Sequence, residues 1–142
     1  MAQVNPYLIF NGNCEAAFNF YKSVFGGEFP YIGRFKEMPP TPGKEIAIED
    51  AEKIMHVSLP ISKETVLMGS DSTVESRVTI GQNISISVNT GSEEEAHKIF
   101  NGLCEGGKII MPLEKTFWGA LFAMFIDKFG ISWMVNYDYN KQ

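Results

Sequence analysis

Few side chains in this 142-residue chain have types and surroundings suited to chemistry, and those few set the first questions. Of the two histidines, His97 lies in a helical run beside Glu93, Glu94 and Glu95 and reads as solvated. His56 opens the run "HVSLPI", on the alternating face with Ser58 and Pro60. An imidazole there is either a hydrogen-bonded structural group or a ligand contact, or a general base near neutral pH; no carboxylate partner for it stands out. Cys14 and Cys104 fall in helical runs, with no CxxC spacing and no adjacent His. Free buried thiols are the expectation, rather than a nucleophile or a zinc ligand. The aromatic side chains of Phe117, Trp118, Phe122 and Trp133 suit a pocket that stacks a planar ligand. Trp118, just before a glycine in "TFWGA", is the pocket-rim candidate, with simple packing as its alternative. Two suggestive strings lack their context. "TPGKE" has no spaced glycines of a P-loop, and "SDSTVESR" is not a nucleophile elbow.

The elements that must position these residues come twice. An offset of 80 superimposes Gly26–Gly27 on Gly106–Gly107, Glu15 on Glu95, Ala16 on Ala96 and Phe20 on Phe100. In the first copy "PYLIF" reads as a strand. A helix capped by Asn13 follows, with Ala17, Phe20, Tyr21 and Val24 as its apolar stripe and Gly26 at its end. In the second copy "NISISVN" alternates, with Ile84, Ile86 and Val88 assigned to the helix layer and Asn83, Ser85 and Ser87 opposite. Ser92 and Glu95 form a capping box before the stripe Ala96, Ile99, Phe100, Leu103, and Gly106 ends that helix. Each copy closes on two further strands, "HVSLPI" then "TVLMGSD", and "LFAMFI" then "SWMVNYD". A Pro-rich charged insertion, about 35–53, lengthens the first. The unit is strand–helix–strand–strand–strand, module 1 spanning about 1–75 and module 2 about 80–142, within one α+β domain. One helix cannot close a core over such a sheet well, which is a reason for two copies.

Composition narrows the function classes. A net charge of −5 with no basic stripe speaks against nucleic acid as a partner, and against an anionic membrane surface. No apolar run approaches the about 18 residues of a membrane span. "MAQVNPYLIF" does not read as a secretory signal, so a cytoplasmic location is expected.

The duplication resembles the vicinal oxygen chelate superfamily, and most of all its PhnB-like family. The residues carrying the resemblance are "PYLIFNGNCEAAFNFY" (6–21), "HVSLPI" leading into "VLMGSD", and "TFWGALFAMFIDKFGISWMVN" (116–136). It implies a glyoxalase-like fold of two βαβββ modules whose curved mixed sheets form a cup, commonly as a homodimer. It also implies four metal-ligand positions, which fall here on Asn5 (or Pro6), Met68, Asn83 and Met134. None is His, Asp or Glu, so no metal and no cofactor is expected. In that register the cup is lined by Tyr7, His56, Met68 and Ser70 from module 1. Asn83, Ser85, Met134 and Asn136 line it from module 2, with Trp118 at the rim and Trp133 turned toward the helix. The function expected is binding of a small molecule, as bleomycin-resistance proteins do. The alternative is an enzyme of lyase, isomerase or dioxygenase type using His56 or an unconventional metal site.

Overall fold

A computed structural model of the chain describes residues 1–140. It contains two compact units, Met1–Thr79 and Ile80–Gln142. The first runs β1 (Tyr7–Phe10), α1 (Cys14–Phe25), β2 (Tyr31–Arg34), β3 (Ile54–Pro60) and β4 (Val66–Asp71). The second runs β5 (Ile86–Asn89), α2 (Glu93–Leu103), β6 (Lys108–Lys115), β7 (Ala120–Ile126) and β8 (Ser132–Asp138). Each sheet is mixed and four-stranded, in the orders β1-β4-β3-β2 and β5-β8-β7-β6. β1 pairs with β4, and β5 with β8, in parallel; the other pairs are antiparallel. Among the described residues no helix is long and apolar enough to cross a membrane.

Each helix buries one stripe against one face of its sheet. On α1 this is Cys14, Ala17, Phe18, Tyr21 and Val24. Phe18, not the expected Phe20, is fully buried beside Tyr21, because Gly69 of β4 leaves room for it. A Cβ at Gly69 would lie 2.6 Å from Phe18 Cε1 and 2.7 Å from the Leu8 carbonyl oxygen. On α2 the buried stripe is the expected Ala96, Ile99, Phe100 and Leu103. Ser92 caps α2 by accepting the Glu95 N–H at 3.1 Å, while the Glu95 carboxylate accepts the Gly91 N–H at 2.9 Å. Gly26 closes α1 with φ of 81°. Gly106 has φ of 75° but lies beyond the end of α2 at Leu103, in the turn that leads to β6. Cys104 likewise sits just past the helix, as its cap.

Asn13 does not cap α1 with its side chain. The buried carboxylate of Asp71, at the end of β4, does that work from outside the helix. Its Oδ1 accepts the N–H groups of Gly12 and Cys14 at 2.9 Å each, and its Oδ2 accepts the N–H of Ile54 at 2.9 Å. A carboxylate satisfies orphan helix-terminal donors more strongly than an amide and complements the dipole. The Arg34 guanidinium then clamps β2 to the helix through both oxygens of Glu15, at 3.1 and 2.8 Å.

One strand assignment shifts. β5 starts at Ile86, not at Asn83, and Ile84 is 77% exposed rather than packed on the helix layer. The cause is pairing: Ile86 lies opposite Trp133 near the start of β8, so residues 83 and 84 have no ladder partner. Pro60 lies in β3, which is interior. It is tolerated because it is the last residue of β3, and β2 reaches only to Tyr31 opposite Ser58, so no ladder bond is lost on that side.

Asp71→Ala would strand three buried or part-buried donors at once. A loss of about 3 kcal/mol of stability is expected. Urea unfolding checks it, and a midpoint unchanged from wild type would contradict the capping role.

Candidate functional site

Residues paired in register share a sheet face, and alternation sends their neighbours to the other. In the first unit Phe10, Val57, Leu59 and Leu67 are fully buried on the helix side. The opposite face carries Tyr7 with Met68, and Ile9 with Ser70, across β1 and β4. It continues through Ser58, opposite both Met68 and Tyr31, and through His56, opposite Gly33. Tyr7, Ile9 and Tyr31 are each nearly half exposed there.

Three rings gather on this face. The Tyr7 hydroxyl lies 3.1 Å from His56 Nδ1, with ring centroids 5.6 Å apart. To reach it the Tyr7 side chain crosses over β4, since β4 separates β1 from β3. Tyr31 stands on the other side, its centroid 5.9 Å from that of His56. The Tyr31 ring folds along its own strand over Gly33, and a Cβ at Gly33 would meet the Tyr31 hydroxyl and lie 2.8 Å from Cζ. Tyr31 and Gly33 were not legible as site residues. The sequence signal was the pair "YIG", an aromatic two positions from a strand glycine.

In the second unit Trp133 is fully buried on the helix side, its indole N–H donating to Asp127 Oδ2 at 2.8 Å. Asp127 also accepts the N–H groups of Phe129 and Ile131. Met134 and Asn136 point to the opposite face, with Ser87 opposite Met134. Met111, Met124 and Met134 form a row across β6, β7 and β8. Phe122, opposite Asn136, lies beside that row, and Trp118 makes an edge contact with it at 5.9 Å. Trp118 is 52% exposed in the turn between β6 and β7, against Phe117, whose side chain is almost wholly exposed. Ser85 and Asn83 precede β5, so Asn83 stands outside the ladder.

Of the remaining candidates, His97 is exposed on α2. Cys14 is fully buried, and burial, with the nearby carboxylates of Asp71 and Glu15, pushes its thiol far up from the ordinary range. Burial raises Cys104 as well, and Glu105 adds to it. Neither is an activated nucleophile.

Two βαβββ units, each a mixed sheet with one helix on one face, define a glyoxalase-like α+β protein. The chain belongs to the family described as 3-demethylubiquinone-9 3-methyltransferase, whose model matches residues 2–136, the PhnB-like branch of the vicinal oxygen chelate superfamily. It is 42% identical to protein PA1353 of Pseudomonas aeruginosa, over 97% of this chain and 98% of that one, with a TM-score of 0.86. It is 31% identical to a PhnB protein of Bacillus cereus, over 96% of this chain and 99% of that one, with a TM-score of 0.75. In fold alone it resembles a glyoxalase/bleomycin resistance protein/dioxygenase family enzyme of Burkholderia phytofirmans PsJN. That protein is 13% identical over 96% of this chain and 98% of its own, with a TM-score of 0.62.

The cysteine environments give a direct check. In native protein at neutral pH, Cys104 is expected to react with a disulfide reagent first, and Cys14 only on unfolding. Modification of Cys14 at the rate of a free thiol would contradict its buried, carboxylate-flanked placement.

Proposed function

We propose that this protein binds a small, partly apolar molecule on the sheet faces that its helices leave uncovered, without a metal. The observation that carries the reading is the make-up of the open face in the first unit. A solvent-facing sheet surface ordinarily carries charged side chains. Here the residues of β1, β4, β3 and β2 that share that face include Tyr7, Ile9, Met68, His56 and Tyr31, and no Asp, Glu, Lys or Arg. Rings and thioethers supply apolar contact, while Ser58, Ser70 and His56 supply hydrogen bonds to fix orientation. The second unit offers the same mixture in Phe122, Met124, Met134 and Asn136.

The donor set supports the metal-free part. Of the four positions where the superfamily holds its ion, two are thioethers, poor ligands for a hard or borderline divalent ion. The Asn5 side-chain oxygen is spent on the Val66 N–H at 3.0 Å, and Asn83 lies outside β5.

The family's description names a methyl transfer. The strand-to-helix turns, where a nucleotide-type cofactor would need free N–H groups, are occupied by the chain's own oxygens. Asp71 takes Gly12 and Cys14, while Glu95 and Ser92 take Gly91 and Glu95. The binding reading is therefore preferred. It includes a homodimer, supported by consecutive Ile109, Ile110 and Met111 on edge strand β6, each between 42% and 50% exposed. A single-chain mass in light scattering at micromolar concentration would count against that part.

The methionines make the central test simple, because Met68, Met111, Met124 and Met134 lie on the open faces while Met1 and Met38 do not. With 13C-methyl methionine labelling, a library of small aromatic fragments is expected to move the face resonances and leave Met1 and Met38 in place. Fragments that bind without moving any face methionine would overturn the proposal. Elemental analysis of the purified protein is expected to find far less than one divalent ion per chain, whereas a stoichiometric ion lost on Met68→Ala would sink the metal-free reading.

A further inference from the structure

We infer that Tyr7 and Tyr31 hold His56 as a hydrogen-bond donor, so that the first unit's open face selects a small aromatic ligand carrying an anionic acceptor such as a carboxylate or phosphonate. The inference rests on the binding reading above and adds the polarity of the ligand. The Tyr7 hydroxyl and His56 Nδ1 are 3.1 Å apart. A phenol is the stronger donor of the two, so its O–H pairs with the Nδ1 lone pair and the imidazole hydrogen goes to Nε2. If the ring takes up a proton, Nε2 still carries a hydrogen. In both states the nitrogen left for a ligand is an N–H, a donor looking for an acceptor.

The surroundings agree. The strand residues on this face include no Lys or Arg to bind an anion without the imidazole, and no Asp or Glu to repel one. Ser58 and Ser70 are hydroxyls close enough in the ladder to add donors, Ser58 opposite Tyr31 and Ser70 opposite Ile9. The aromatic part of the class follows from the walls. Tyr7 and Tyr31 flank the imidazole with centroids at 5.6 and 5.9 Å, tilted by 32° and 37°. Such rings favour an offset or edge contact with another ring. Tyr31 keeps its place because Gly33 beneath it has no side chain. Gly33 is thus a positioning residue, and Tyr31 a wall of the site.

The test uses the full-length protein with benzoate, phenylphosphonate and benzylamine as probes, followed by long-range 1H–15N spectra of the imidazoles and by the methionine methyls. Neutral His56 is expected as the Nε2–H tautomer. Benzoate and phenylphosphonate are expected to shift its Nε2, and benzylamine to bind more weakly by about tenfold or more. Tyr7→Phe is expected to abolish the tautomer bias and to weaken benzoate by about tenfold, with folding checked by the unchanged Trp133 signal. Gly33→Ala is expected to move the Tyr31 ring resonances and weaken benzoate too; unchanged affinity would remove Tyr31 from the site. An Nδ1–H tautomer in the wild type, or benzylamine binding as tightly as benzoate, would overturn the inference. If benzylamine shifts Met68 while benzoate leaves His56 unmoved, the polarity is wrong and the binding reading stands. If no probe moves either face, that reading fails as well.

Discussion

One helix can cover only one face of a four-stranded sheet, and this constraint organises the whole molecule. α1 seals Phe10, Val57, Leu59 and Leu67; α2 seals Ala123, Phe125, Trp133 and Val135. The opposite faces then keep their rings and thioethers in the open. A lone unit would expose that surface with nothing gained. Its side-chain make-up fits a surface that is covered, and the proposed cover is a small molecule.

Each unit has a buried aspartate that ties its helix side together. Asp71 ties the start of α1 to β3, and Asp127 ties the β7–β8 turn to the Trp133 indole. Both carboxylates accept backbone N–H groups, so each is satisfied although buried. Asn11 extends the same logic beyond the sheet. Its amide donates to the Val78 carbonyl at 2.8 Å and accepts the Val78 N–H at 3.0 Å, which fixes the segment after β4 as a neighbouring strand would.

Much of the fold was legible because it rests on periodicity and repetition. The order strand–helix–strand–strand–strand, the α2 stripe, the Ser92 cap and the extent of β8 at "SWMVNYD" all follow from local pattern. What was not legible depends on partners distant in sequence. Asp71 lies 57 residues from the Cys14 N–H that it caps, so the local candidate, Asn13, drew the assignment instead. β5 alternates from residue 83, but a strand ends where its neighbour ends, and β8 sets that limit. On the first unit's open face, Tyr7, His56, Met68 and Ser70 fall together as the register implied by the resemblance places them, whereas Tyr31 was hidden. Its role comes from a ring folding back over Gly33, a tertiary contact with only a glycine to announce it.

The proposed site depends on the position of its groups. His56 has a hydrogen bond from Tyr7 on one side and the tilted ring of Tyr31 on the other, on strands that pair in register. Such a group can orient a ligand without turning it over. Crystals of the protein grown with benzoate would test the central claim most directly. The account predicts difference density against Tyr7, His56 and Tyr31, on the face away from α1. Density lodged between α1 and its sheet, with that open face empty, would contradict it.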